Sequence, residues 1–357
     1  MKHATYIDFD SEALLHNFTV TKQLSSTAKI MGMIKSNAYG HGLLRVARTL
    51  AKTNIDYFGV ACITEAIKLR QAKIHQPIVI MHGFYNSREL IKASNLSLQI
   101  TIHEYWQVQM LEQIKLTKTI SIWIRIDIDN NFLGFSIEEF DNIYKRLKNC
   151  RNVKIIGIMA HIMQSKYSDI TKLSEQVTLF KNVTKTVDVP KSIASSGTIL
   201  SSPDFRLDCI RPGTMLYGIS PLYGYTGAKL GLKQVMTLKS KLHSIKLYKQ
   251  GNTIGYGNEH KCSSDMLIGT IPMGYGDGYP LNVNSTPVLV NGHLCQIIGA
   301  VSMDLLAIDL SNYPKAKLGD LVILWGKELP IEQVAVSMKT IPPELTCRLT
   351  KRVSGMQ

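Results

Sequence analysis

Along the first two-thirds of the chain, short β-branched runs alternate with stretches whose apolar positions recur every three or four residues. AKIMGMIK (28–35) precedes a helical pattern near 42–53, YFGVA one near 64–72, and PIVIMH one near 86–94. The rhythm continues through LSLQITI, HEYWQVQMLEQI, TISIWIRID, SIEEFDNIYKRL and VKIIGIM to a long helix around 170–186. Two weaker strands, near 190–194 and 209–216, bring the strands to about eight, the number that closes a parallel barrel. After residue 230 the period changes to two, as in VMTLKSKLHSIKLYK, with turn signals at NTIGYGN and VNGH and one late helix near 331–338. The pattern predicts an α/β chain: an N-terminal (α/β)8 TIM-type barrel over residues 1–230, then a mainly β C-terminal domain over 231–357. The first few residues are expected to pack with the β domain.

Bulk numbers exclude several classes. With 357 residues, 45% of them hydrophobic, the chain can bury a large core. MKHATYIDFD has no apolar segment behind Lys2, and no uncharged run reaches the roughly 18 residues needed to cross a bilayer, so neither a membrane nor an exported location is expected. Six widely spaced cysteines with no CxxC pair fit reduced thiols, which makes the cytoplasm the expected compartment and leaves no metal site. The net charge of +14 is spread along the chain without a dense block, so it reads as a solvated surface and not as a nucleic-acid footprint.

One charge stands out from that surface. Alternation along AKIMGMIK puts Met31, Met33 and Lys35 on one face and Ile30, Gly32 and Ile34 on the other. Lys35 therefore ends the first barrel strand at the mouth where functional groups of such barrels collect. A partly desolvated lysine there has a depressed pKa and can act as a nucleophile or base; an ordinary lysine marking the strand's exit to solvent fits position alone equally well. The following SNAYGHG offers permissive backbone and a tyrosine, suited to close approach of a phosphate.

The run MIKSNAYGHG resembles the cofactor-lysine motif of the alanine racemase family, whose members use pyridoxal 5′-phosphate. Further matches follow in order: GIMAH, IASSG and CIRPGTMLYG in the barrel, then GYGNE, IPMGYGDGYP and GAVSMD in the β domain. The resemblance implies a head-to-tail homodimer acting on a small amino acid, with Lys35 carrying the cofactor. It implies two bases on opposite faces of the substrate, Lys35 and, from the partner subunit, Tyr256. Arg211 is then the partner of the pyridine nitrogen, and His161 packs beside the ring. Tyr39, Ser196 and the backbone N–H groups of Gly213 and Thr214 are the expected phosphate donors. Met303 of the partner subunit would meet the substrate carboxylate, and Tyr275 would guard the pocket entrance. The implied activity is interconversion of L- and D-alanine, supplying D-alanine for peptidoglycan.

Two departures from the family pattern matter. Many members carry, on the strand here written IWIRIDIDNNFLGF, a lysine modified to a carbamate that orients an arginine seven residues later; this chain has Arg125 and Phe132. Alternation turns Arg125 into the barrel with Trp123 and Asp127. There it either forms an internal ion pair or itself supports cofactor or substrate. The family's late phosphate-binding tyrosine corresponds to Pro343, which has neither a hydroxyl nor an N–H. A related pyridoxal-phosphate enzyme acting on another amino acid, a decarboxylase, or a catalytically weak cofactor-binding homologue are the alternatives these departures leave open.

Overall fold

The computed structural model describes residues 4–25, 27–128, 132–162, 169–281, 283, 285–353 and 355. Strand β1 (Tyr6–Phe9) is followed by eight barrel strands: β2 (Lys29–Met33), β3 (Tyr57–Val60), β4 (Ile78–Ile80), β5 (Gln99–Ile102), β6 (Ile120–Arg125), β7 (Val153–Met159), β8 (Lys191–Ser192) and β9 (Cys209–Ile210). They form one parallel sheet in the order β8-β7-β6-β5-β4-β3-β2-β9. The seam between β8 and β9 is bridged by backbone bonds from Asp208 to Lys191 and from Arg211 to Ala194. The eight-strand expectation holds.

Period-two alternation is visible in the packing. Ile30, Phe58, Ile78, Ile80, Ile100, Ile122 and Ile124 face outward into the layer shared with the helices. Met31, Met33, Val79, Trp123, Met159 and Cys209 face inward and fill the barrel beneath its mouth. Each buried aliphatic side chain of this kind contributes roughly 1.5–3 kcal/mol by leaving water. The inward Trp123 is anchored by its indole N–H, which donates to Gln99 Oε1 at 3.1 Å.

The second unit is an eight-stranded antiparallel sheet with β1 at one edge. Its other strands are β10 (Met236–Lys241), β11 (Ser244–Tyr248), β14 (Met266–Ile271), β15 (Pro287–Val290), β16 (His293–Ile298), β17 (Leu306–Asp309) and β18 (Leu321–Trp325); a separate hairpin joins β12 (Thr253–Ile254) to β13 (His260–Lys261). Strand β1 pairs antiparallel with β10, Ile7 opposite Leu238, so the start of the chain belongs to the second sheet.

Three elements escaped the periodicity. The helix Ser11–Ser25 buries Asn17, Thr21 and Ser25 beside Leu14 and Phe18, so its inner face is half polar. Asn17 latches it to the interdomain segment, donating to the carbonyls of Leu216 and Lys233 and accepting the Lys233 N–H. The short helix Ser196–Ser201 follows β8 with no periodic apolar pattern to announce it. The expectation of a single late helix is corrected: beside Ile331–Ser337 stands Pro342–Arg348, whose two prolines occupy the first turn, where missing N–H groups cost nothing.

Candidate active site

A cavity of about 560 Å³ opens where the barrel strands end. Lys35 lies two residues beyond β2 and lines it. The backbone after Lys35 is not the permissive segment the glycines suggested. Ser36, Asn37, Ala38 and Tyr39 have φ of 53°, 55°, 55° and 52°, a left-handed turn built from non-glycine residues. That conformation costs roughly 1–2 kcal/mol per residue, so the surroundings must hold it. Asn37 does much of this: its N–H donates to Glu65 Oε1 at 3.1 Å, its Oδ1 accepts the Leu43 N–H at 2.8 Å, and its carbonyl accepts the Gly42 N–H at 2.9 Å. The turn ends at Gly40, where a Cβ would fall 1.9 Å from the Thr346 carbonyl, so the turn and the helix Pro342–Arg348 touch backbone to backbone. The strain aims Lys35 and Tyr39 into one cavity.

Electrostatics favour an uncharged Lys35 amine. Burial lowers its pKa, and the nearby cations Arg125 and Arg211 lower it further. Both arginines line the cavity, as does His161 just beyond the sixth barrel strand. Burial, reinforced by Arg211, Arg125 and Lys35, pulls the His161 imidazole down to about 3, so it is neutral near pH 7. Arg211 is buried and donates through Nη1 to Ser192 Oγ and through Nη2 to the Ala160 carbonyl. Burial lowers its pKa to about 10, which leaves it protonated at neutral pH. Its Nε makes neither of these bonds.

Ser196 begins the helix after β8, and its Oγ accepts the Gly213 N–H at 2.8 Å and the Met215 N–H at 3.3 Å. The Gly213 N–H is thus engaged by Ser196 in this structure. The Ser196 O–H proton remains to be donated, and Thr214 opens a 3-10 turn whose first N–H has no partner within the turn. Tyr39 joins them: a Cβ on Gly213 would lie 2.5 Å from its hydroxyl, so only glycine fits beneath that ring. Ser196, Gly213, Thr214 and Tyr39 all line the cavity, and so does Pro343.

On the fifth barrel strand, Arg125 points inward as alternation requires. Its Nε is buried without a hydrogen-bond partner among the described residues, a condition that costs about 1–3 kcal/mol. Phe132 lies elsewhere: it is 72% exposed, absent from the cavity wall, and held by its N–H to Asp127 Oδ2 at 2.9 Å.

Tyr256, Tyr275 and Met303 do not line the cavity of their own chain; all three are exposed on the second domain. Two of them belong to one surface feature, since the Tyr275 and Gly276 N–H groups donate to the carbonyls of Ser302 and Met303 at 3.0 and 2.9 Å. Tyr256 sits at the hairpin β12–β13. Gly255, just before it, lies within 3.3 Å of the Ala300 carbonyl, measured from the position a Cβ would take.

Residues 9–221 match the family model for the alanine racemase N-terminal domain, and residues 235–356 match the C-terminal domain model. The chain belongs to the alanine racemase family. It is 44% identical over 352 residues to the alanine racemase of Coxiella burnetii (strain RSA 331 / Henzerling II), covering 97% of this chain and 96% of that protein. To that of Shewanella piezotolerans it is 39% identical, with 99% of each covered. The crystal structure of the biosynthetic alanine racemase from Pseudomonas aeruginosa superposes with a TM-score of 0.95 at 32% identity, covering 99% of this chain and 98% of that one. One from Bartonella henselae, with covalently bound pyridoxal phosphate, gives 0.90 at 26% identity, with 98% of each covered.

As an alanine racemase family member, this chain has a cavity whose donors fit pyridoxal phosphate. An amine whose pKa is lowered, a buried arginine whose Nε makes none of its hydrogen bonds among the described residues, the Arg125 Nε without a partner among them, and a hydroxyl-bearing wall at Tyr39 and Ser196 suit its aldehyde, ring nitrogen and anionic oxygens. Sequence reasoning overlooked His82 and Cys347. His82 ends the PIVIMH run and lines the cavity; burial, Lys35 and Arg125 lower its pKa. Cys347 lies near enough to Lys35 to interact with it electrostatically. The strand-end position of His82 was a usable signal. Cys347 carried none, because the helix that brings it near Lys35 was concealed by the double proline.

Proposed function

We propose that this protein is an alanine racemase that interconverts L- and D-alanine, with pyridoxal 5′-phosphate held in the barrel cavity at Lys35. The observation that carries the reading is the convergence of Lys35, His161 and Arg211 in one cavity, with the Lys35 amine biased toward its neutral, proton-accepting form. When bound, the cofactor supplies the electron sink that makes an amino acid α-proton removable. Lys35 holds or releases that proton on one face. Tyr256 of a second copy serves the other face, which agrees with its exposure and its distance from its own chain's cavity wall. Arg211, always protonated, donates to the ring nitrogen through Nε and keeps a proton off it. The neutral His161 packs beside the ring without adding charge. Tyr39, the Ser196 hydroxyl and the Thr214 N–H hold the phosphate, Met303 from the second copy meets the substrate, and Tyr275 narrows the entrance.

A homodimer follows from this division of labour, with the barrel over 1–230 of one copy facing the β domain over 231–357 of the other. No helix among the described residues is long and apolar enough to cross a membrane. The reading places the enzyme in the cytoplasm, supplying D-alanine for peptidoglycan. Subunit mixing tests it: Lys35→Ala and Tyr256→Phe proteins, each inactive alone, should regain activity when mixed, because each mixed dimer holds one intact site. No recovery, with exchange verified, would defeat the shared site.

A further inference from the structure

Arg125 is a half-buried cation whose Nε has no hydrogen-bond partner among the described residues. Its backbone is fixed, because the Phe135 N–H donates to the Arg125 carbonyl at 3.0 Å and the Asp127 N–H donates to that of Phe135 at 2.8 Å. Trp123, two residues earlier on the same face of the strand, is buried in the barrel, and Arg125 lines the cavity. Its Nε is buried with no partner among the described residues.

Lys35, His82, His161 and Arg211 are each pushed toward neutrality by Arg125, and only Asp127 favours its positive charge. Asp127 is also engaged with the Phe132 N–H. Arg125 and Arg211 thus both line the cavity with the Lys35 amine, while Glu65 acts on Lys35 and His82 in the opposite sense. An anion placed there gains both the unsatisfied N–H and the field of the cluster.

We propose that Arg125 receives the α-carboxylate of the amino acid substrate. This rests on the racemase reading, and Phe132, exposed outside the cavity, offers no such group. A guanidinium matches a carboxylate in two parallel N–H···O bonds, and its permanent charge needs no modification to be in place. The substrate class is a small α-amino monocarboxylate.

The test uses the cofactor-loaded full-length protein and propionate, a monocarboxylate without an amine. Propionate binding is measured by titration calorimetry, cofactor content by visible absorbance, and L-alanine racemisation by separate kcat and KM. Arg125→Met should weaken propionate binding and raise KM by about 10- to 100-fold, the loss expected for a charged hydrogen bond, with cofactor content unchanged. Arg125→Lys should recover part of the propionate affinity. If Arg125→Met stains like the parent but binds propionate equally well, the proposal fails. It also fails if the variant sheds cofactor while the loaded fraction keeps parental propionate affinity, which would put Arg125 on a cofactor oxygen. If Arg125→Met does not fold, Arg125→Lys and Arg125→Gln decide by the same comparison. A parent protein that binds propionate through Arg125 yet turns over no alanine would uphold this assignment and refute the racemase reading.

Discussion

The hydroxyl of Ser196 accepts the backbone N–H of Gly213 at 2.8 Å, tying the helix after the seventh barrel strand to the turn after the eighth. The bond locks together the two loops that the proposed function assigns to the phosphate. Ser196→Ala removes the acceptor for both Gly213 and Met215 and a donor for the phosphate. The cofactor-free protein should lose about 1–3 kcal/mol of stability, read by urea unfolding, and pyridoxal phosphate affinity should fall about tenfold. An unchanged affinity would mean that Ser196 only braces the loops.

Pro343 lines the cavity from the first turn of its helix but offers no donor. Pro343→Tyr should add one hydroxyl toward the phosphate, tightening cofactor binding by a few-fold, as about 1 kcal/mol implies. Equilibrium dialysis of the two proteins would show it. Equal affinities would place the phosphate out of reach of this helix.

An arginine does not carry a carbamate. With Arg125 where the family resemblance leads one to expect a modified lysine, activity should be the same in carbon dioxide-free buffer and in added bicarbonate. A rise with bicarbonate would reveal a modified lysine elsewhere in the site.

Two buried histidines link stability to pH. His41 and His161 are both pulled down to about 3 by burial, against roughly 6.5 when unfolded. Below pH 6.5 the unfolded chain binds protons that the native protein refuses, so stability falls as pH drops from 6.5 toward 3 and is fully present above that window. For His41, stacked on Tyr217 at 4.4 Å, the slope is about 1.4 kcal/mol per pH unit while only the unfolded form is charged. His41→Phe keeps the stacked ring and should flatten the profile in acid. A parallel profile would show that His41 does not titrate on unfolding.

What could be read from the chain depended on how local the signal was. Strand alternation placed Lys35, Arg125 and Trp123 on the inner wall because the side-chain period of a strand is fixed at two. The helix Ser11–Ser25 was illegible for the opposite reason: Asn17 and Thr21 look solvent-facing until the carbonyls of Leu216 and Lys233 are brought to them. The left-handed turn at 36–39 was hidden because nothing in SNAY announces it; Glu65, Leu43 and Thr346 impose it from elsewhere in the chain. Motif resemblance brought Arg211 and His161 together, whereas the engagement of the Gly213 N–H by Ser196 required coordinates.

The most direct measurement is chiral chromatography of L-alanine incubated with the cofactor-loaded protein beside Lys35→Ala. The account predicts that D-alanine accumulates toward an equal mixture with the intact protein and is absent with the variant. No D-alanine from an intact protein that has taken up its cofactor normally would contradict it.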